Sequence, residues 1–152
     1  LGSDLVDNKD MVPWVKKFLT YVKRNQRPKY WGLHNYVSIN NPRGFSTKSV
    51  RDLGRVVKGS RIWLTETGGL VKRRNKSTIK LREGRKHASS MTRKVLKRWG
   101  AKRQRDKVDR IYLYHWNSST PTDTWDSAFI GADGQVRPAL GALRSYLRAI
   151  RG

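Results

Sequence analysis

The stretch Arg61-Ile62-Trp63-Leu64-Thr65-Glu66-Thr67-Gly68-Gly69 joins a short apolar run to one carboxylate and two glycines. The apolar run favours a β-strand, and the glycine pair lets the backbone turn sharply after it. A glutamate is rare in this chain, because Glu66 and Glu83 are the only two. The stretch therefore predicts a core strand with Glu66 at its carboxyl end, which is where the active sites of α/β proteins lie.

Length and composition indicate one folded domain over residues 1–152. A chain of 152 residues can bury a core, but it is shorter than the about 250 residues of a complete eight-stranded α/β barrel. Six Trp, six Tyr and three Phe residues argue against disorder, since aromatic side chains fill cores and stacking sites. No apolar run approaches about eighteen residues, so we expect no membrane span.

The charge balance predicts attraction to polyanions. The chain has 34 Lys and Arg residues against 11 Asp and Glu residues, a formal net charge of +23. Such a charge attracts nucleic acid, anionic polysaccharide or an anionic membrane, and it sets association rather than fold.

The chain has no cysteine, which excludes disulfides and thiolate metal sites and leaves the redox compartment undecided. We predict neither a metal site nor a cofactor. The chain begins at Leu1 with no signal-like segment before it, so we expect that it was processed or starts partway through a longer product. The sequence leaves the localisation open, with secretion among the options.

Hydrophobic spacing predicts an α/β chain of three strands and four helices in the order α-β-α-β-α-β-α. The helices are predicted to begin after Asp10, after Ser46 or Thr47, near Ala88 and at Pro138. The strands are predicted at 29–36, within 61–69 and at 111–116, and residues 1–8 are predicted as a loop. The first two strands are about thirty residues apart, the length of a βαβ unit, so we expect parallel neighbours.

Residues 70–86 interrupt this rhythm and form a predicted basic loop insertion, which contains eight Lys or Arg residues and the single acid Glu83. A loop of this length is usually functional or mobile, although a run of charge is most often a solvated face. The loop follows the Glu66 strand, so it lies on the expected active-site side. An anionic glycan is therefore an alternative substrate.

Three strand exits carry a family resemblance. They read Gly32-Leu33-His34-Asn35-Tyr36, then Thr65-Glu66-Thr67-Gly68-Gly69, then Tyr112-Leu113-Tyr114-His115-Trp116-Asn117. Together they resemble the sixth, seventh and eighth strands of the large clan of retaining glycoside hydrolases with a (β/α)8 barrel. The resemblance covers about residues 10–147 and implies a partial (β/α) barrel that acts on a carbohydrate.

The resemblance implies a role for each matching residue. Glu66 would be the nucleophile that forms a glycosyl-enzyme intermediate, and the other matching side chains would contact the nucleophile or the sugar. The implied substrate-binding residues are His34, Tyr36, Trp116 and Asn117, to which we add Trp125 because it lies in a polar loop. If this holds, Glu66, Tyr36 and Trp116 should converge.

Structural roles compete with each of these assignments. Glu66 could instead form an ion pair with one of the many arginines. His34 and His115 could be hydrogen-bonded histidines of the core or rim. Trp14, Trp63 and Trp99 are interpreted as core residues.

The chain departs from the family pattern in one respect. A retaining mechanism needs two carboxyl groups, and in this clan the acid/base glutamate follows the fourth strand as Asn-Glu. The chain has no Asn-Glu pair, and Glu83 has no strand before it. Residues 1–5 resemble the loop after a fifth strand, so the resemblance implies only the C-terminal part of a barrel. We therefore expect an N-terminal half, or self-association, to cover the open sheet.

A binding protein without catalysis is one alternative, and an inactive barrel remnant retained as an interaction module is another. The binding protein would hold nucleic acid or another polyanion on a Lys and Arg face and would not need Glu66. The chain shows no RNA-binding signature, zinc-finger spacing or phosphate-loop glycine pattern, so charge alone supports this alternative.

Overall fold

The computed structural model describes residues 1–74, 78–100 and 105–151, which form an α/β fold. The strands are β1 (Asp4–Val6), β2 (Tyr30–His34), β3 (Arg61–Thr67), β4 (Lys72–Arg73), β5 (Val108–Leu113) and β6 (Trp125–Asp126). The helices are α1 (Met11–Tyr21), α2 (Tyr36–Ile39), α3 (Lys48–Val56), α4 (Arg85–Trp99) and α5 (Pro138–Arg151), with 3₁₀ turns at Arg24–Gln26 and Arg105–Lys107.

The main sheet has four parallel strands in the order β1-β2-β3-β5. Its parallel pairing confirms the predicted partial barrel, but the sheet has one strand more than the three predicted. The extra strand β1 lies within 1–8, where we predicted a loop. Its backbone bonds to β2 on one side, with Gly32 N donating to Ser3 O at 2.9 Å. Three residues are too few to show an alternating pattern, so the sequence could not reveal this strand.

The helices cover one face of this sheet and build the core there. Alternate strand residues point to the helical layer, as Trp31 and Leu33 do from β2, and they are fully buried. Val15 of α1, Leu53 of α3 and Val95 of α4 pack against this face. The opposite face has no helical layer in the described part of the chain, and it exposes aromatic side chains.

The region after β2 differs from the prediction. We predicted Tyr36 as the last residue of a strand at 29–36, but the strand ends at His34 and Tyr36 opens the short helix α2, a fifth helix where we predicted four. The side chain of Asp7 causes the turn, because its carboxylate accepts hydrogen bonds from Val37 N at 2.9 Å and Ser38 N at 2.7 Å. This cap comes from about thirty residues away, so local sequence does not predict it.

Two basic segments are only partly described. The predicted loop 70–86 contains β4, which pairs antiparallel with β6, and its last residues begin α4. Residues 75–77 of this loop, and residues 101–104 of the basic stretch before β5, lie outside the described residues. Among the described helices, none is long and apolar enough to cross a membrane.

Candidate active site

A β-bulge in β3 sets the direction of Glu66. Ile62 and Leu64 of this strand are buried against the helices, so strict alternation would turn Glu66 to that side as well. Three residues of β2, from Gly32 to His34, instead lie opposite four residues of β3, from Trp63 to Glu66. The pairing of β3 with β5 shifts in the same region. The extra residue reverses the alternation and turns Glu66 to the open face, and bulges often re-aim side chains in this way beside active sites.

Glu66 lies next to a histidine that an aspartate orients. His34 Nδ1 is 3.7 Å from Glu66 Oε2, and His34 Nε2 is 3.0 Å from Asp4 Oδ2. The other Asp4 oxygen accepts a hydrogen bond from the Thr65 hydroxyl. Gly32 makes this arrangement possible, because a Cβ at that position would lie 2.6 Å from Asp4 Oδ1. Asp4, His34 and Glu66 therefore form a row across three strands.

An aromatic pair adjoins this row. The rings of Tyr36 and Trp125 meet edge to face, with centroids 4.6 Å apart. Trp125 belongs to β6, whose pairing with β4 places it opposite Arg73. The Tyr36 hydroxyl and the Trp125 indole N–H are buried, and neither has a partner at hydrogen-bond geometry within the described residues. The Tyr36 hydroxyl thus lies inside the aromatic pair, beside the side chains of Ser127 and Trp125.

These groups meet in one cavity of about 270 Å³ at the carboxyl end of the sheet. Its lining includes four of the six predicted site residues, which are His34, Tyr36, Glu66 and Trp125. Ligand sites usually measure about 300–1,000 Å³. The cavity is therefore slightly smaller than a typical complete site.

Two predicted site residues lie outside this cavity. Trp116 is 57% exposed and packs its ring on Phe129, with centroids 6.0 Å apart. Asn117 is exposed and forms a backbone bridge to Ile130. The predicted convergence thus includes Glu66 and Tyr36 but does not extend to Trp116. Contact of Trp116 or Asn117 with sugar stays a prediction.

The basic loop forms one wall of the cavity through Arg73. Its guanidinium donates to Ile79 O at 2.6 Å, and its backbone N–H donates to Glu83 Oε2 at 3.0 Å. Arg73 Nε is also 3.7 Å from the Glu83 carboxylate. Glu83 therefore folds the loop and does not line the cavity.

Burial changes the acidity of two lining residues. It raises the pKa of Asp7 to about 6, against the opposing effect of its bonds from Val37 N and Ser38 N. Burial also raises the pKa of Tyr36 above its usual range. Tyr36 therefore remains a neutral hydrogen-bonding group at physiological pH.

Sequence reasoning missed three residues of this region. Asp4 and Asp7 flank the apolar pair of β1, and this spacing is visible in the sequence once the segment is known to be a strand. Arg73 was one of eight cations in the predicted loop, and nothing local distinguishes it. Among the described residues, no group of three or more His, Asp or Glu side chains could hold a metal ion.

Comparison with known proteins finds similar structures but no similar sequence family. No protein-family model and no curated protein sequence matches the chain. The catalytic core of xylanase A is similar in structure, with a TM-score of 0.55 and 11% identity over 90% of this chain. A thermostable mutant of a xylanase from Cellvibrio japonicus gives a TM-score of 0.53 and 13% identity over 90% of this chain.

The chain spans 44% of the length of each xylanase chain that it matches. At sequence identities this low, the structural similarity shows the fold alone, and the chemistry has to be argued from the residues of the site. The parallel sheet with helices on one face is thus the fold of a partial (β/α)8 barrel, similar to part of the catalytic domain of glycoside hydrolases.

Proposed function

We propose that this chain supplies the nucleophile half of a retaining glycoside hydrolase site, with Glu66 as the nucleophile. The observation that carries the proposal is the convergence of Glu66, His34, Tyr36 and Trp125 in one cavity at the carboxyl end of a parallel sheet. Such a cavity has a carboxylate for attack and an aromatic wall for a sugar.

The proton donor has to come from elsewhere. In the retaining mechanism a second carboxyl group lies about 5–5.5 Å from the nucleophile. Asp7 lines the cavity, but backbone N–H groups occupy both of its oxygens. Asp4 is bonded to His34 and Thr65. Neither has a carboxyl oxygen without a hydrogen bond, so we propose that the acid/base residue belongs to an N-terminal half-barrel.

The open face of the sheet supports this proposal. Tyr30 and Tyr112 are exposed on it, and Trp63 lies between them with its ring centroid 5.1 Å from Tyr30 and 6.5 Å from Tyr112. In a closed barrel this face would be interior and packed. An exposed aromatic row favours burial against a partner, which would be the N-terminal half or a second copy of the chain.

The test compares the parent chain with Glu66→Gln, with and without an N-terminal half-barrel supplied in trans. Glu83→Gln is the matched control, because Glu83 is the other glutamate and does not line the cavity. Aryl β-xylosides are the first substrates, chosen from the xylanase neighbours. Alone, the parent should release only an activated group such as dinitrophenolate, since that group leaves without a proton.

Glu66→Gln should abolish this release and Glu83→Gln should retain it. With the half-barrel added, the parent should also cleave substrates with poor leaving groups. Equal activity of Glu66→Gln and parent in the complemented enzyme would remove Glu66 from the nucleophile role. Full activity of the isolated chain on poor leaving groups would refute the missing-acid argument.

A further inference from the structure

A second cavity lies between α4 and α5, on the outer layer of the fold. Its volume is about 1170 Å³, and it shares no lining residue with the cavity beside Glu66. Five exposed cations line it, which are Lys86, Arg93, Lys97, Arg144 and Arg148. No carboxylate is among its lining residues. This cationic groove is separate from the candidate active site.

The five cations have no counter-ion within the described part of the chain. Each described acid that forms an ion pair does so with a different residue. Among the described residues, the guanidinium of Arg148 donates only to the hydroxyl of Ser145, at 3.5 Å. Five like charges around one groove repel each other, and an anionic ligand would remove that repulsion.

The five groove cations are spaced along the two helices that form the groove. Lys86, Arg93 and Lys97 recur at seven and four residues on α4, and Arg144 and Arg148 are four apart on α5. These spacings keep each set on one helix face. At about 1.5 Å per residue, Lys86 and Lys97 lie about 16 Å apart along α4. The charges thus form two rows along a groove, which suits a linear polymer.

The α5 side of the groove has room for a bound chain. Gly141 of α5 lines it, and a Cβ at that position would meet nothing within 4 Å. Ligand sites for small molecules usually measure about 300–1,000 Å³, so this groove exceeds the usual size of a single-metabolite site.

The chemistry of the lining favours a polysaccharide over nucleic acid or membrane. Single-stranded nucleic acids bind on exposed aromatic platforms. The one aromatic residue among those lining the groove, Tyr146, is half-buried with its hydroxyl against the backbone of Gly100. A membrane surface needs protruding apolar side chains, whereas Leu96 and Ala142 are buried in the groove. An anionic sugar chain can instead bind to cations alone, through its carboxylate or sulfate groups.

We propose that the groove between α4 and α5 binds a linear anionic polysaccharide, whose carboxylate or sulfate groups lie between the two rows of cations. This site does not depend on the proposed activity of Glu66. On a glycosidase it would hold the polymer at a distance from the point of cleavage.

The test measures binding of polygalacturonate and dextran sulfate to the full chain at low ionic strength. One variant replaces the five groove cations with glutamine. The control replaces five exposed cations that line neither this groove nor the active-site cavity, which are Lys17, Lys23, Arg24, Lys29 and Arg43. Both variants lose the same charge. Near-ultraviolet circular dichroism checks that each variant keeps the parent fold.

We expect the groove variant to bind at least one of the two polysaccharides on the order of 100-fold more weakly, because five exposed pairs each contribute a factor of about 2–3. The control should stay within about threefold of the parent. Gly141→Trp fills the groove without a change of charge and should also weaken binding, whereas Gly141→Ala should not. Glu66→Gln should bind like the parent.

The two polysaccharides identify the anionic group, and tighter binding of one assigns carboxylate or sulfate. Equal losses in the groove and control variants would overturn the proposal in favour of diffuse electrostatic attraction. Tighter, groove-dependent binding of oligo(dT) or of phosphatidylserine vesicles would overturn it in favour of nucleic acid or membrane. An unchanged affinity in Gly141→Trp would place the polymer outside the groove.

Discussion

Loss of the buried ion pair between Arg137 and Asp126 should destabilise the fold more than loss of any surface pair. Arg137 Nη1 and Nη2 donate to the two Asp126 oxygens at 2.5 and 2.7 Å. The two side chains are only 7% and 11% exposed. Asp126 follows Trp125 in β6, so this pair also supports a wall of the candidate site. We predict that Arg137→Met costs about 3–5 kcal/mol at pH 7.

The magnitude follows from what the substitution leaves behind. Methionine fills much of the volume but provides no charge, so the Asp126 carboxylate stays buried with one backbone hydrogen bond, from Ala128 N at 3.1 Å. Removing one partner of a buried pair typically costs about 3–5 kcal/mol for this reason. A domain of this size has about 5–15 kcal/mol of stability, so a large part of it would be lost.

The loss should depend on pH. Burial is the largest single effect and raises the pKa of Asp126, but the hydrogen bonds and charge of Arg137, together with the bond from Ala128 N, hold the pKa below its usual range. In the parent, this stabilisation is present above the unfolded pKa and is lost as the pH falls through the folded pKa. In Arg137→Met the remaining burial raises the pKa of Asp126. Protonation of Asp126 at low pH therefore restores part of the stability of the variant. The difference between variant and parent should therefore shrink from pH 7 to pH 4.

Urea denaturation followed by tryptophan fluorescence between pH 4 and pH 8 measures this difference. Arg85→Met is the matched control, because its pair with Asp133 spans 3.7 Å and is 58% and 53% exposed. It should cost about 0–1 kcal/mol. The double variant Arg137→Met/Asp126→Asn should recover most of the loss. A cost below about 1 kcal/mol at pH 7, or one that does not change with pH, would refute the reasoning.

Three further predictions follow from particular contacts. Gly32→Ala should lower the free energy of unfolding in urea by about 1–3 kcal/mol, because its Cβ would lie 2.6 Å from Asp4 Oδ1. Gly141→Ala should raise it by about 0.5–1 kcal/mol, because that Cβ would meet nothing within 4 Å. Equal effects of the two substitutions would contradict this reasoning. Burial raises the pKa of Asp7 from 3.8 to about 6, so protonation of Asp7 stabilises the fold. This contribution to stability is fully present below pH 3.8 and is lost as the pH rises through 6. Between pH 3 and pH 7 the parent should therefore lose about 3 kcal/mol relative to Asp7→Asn, at about 1.36 kcal/mol per pKa unit, and parallel pH profiles would argue against it. Sedimentation velocity should show concentration-dependent association of the parent through its open aromatic face, which Trp63→Lys should weaken; a stable monomer with or without the substitution would mean that the face needs no partner.

Local sequence was sufficient to predict a helix or strand where a hydrophobic pattern repeated over several helical turns or along a whole strand. The spacing of apolar residues predicted α1, α3, α4 and α5, and Pro138 is the first residue of α5 as expected. The apolar run before Glu66 predicted β3, and the thirty-residue spacing predicted its parallel pairing with β2. These features could be predicted because each depends on neighbours close in the chain.

Short and long-range features could not be predicted in this way. Strand β1 has three residues and depends on pairing with β2. The end of β2 at His34, rather than at Tyr36, depends on a cap from Asp7. Arg73 enters the cavity wall because β4 pairs with β6, more than fifty residues further along the chain. Each of these depends on a contact between segments that are distant in sequence.

The sequence by itself indicated a basic α/β chain in which Glu66 lies near the carboxyl end of a strand. Tertiary structure decided which way Glu66 points. Alternation from Ile62 and Leu64 directs its side chain to the helices, and only the bulge against β2 and β5 reverses that direction. The physical reason is that a bulge arises from the pairing of neighbouring strands, and no single strand contains that information.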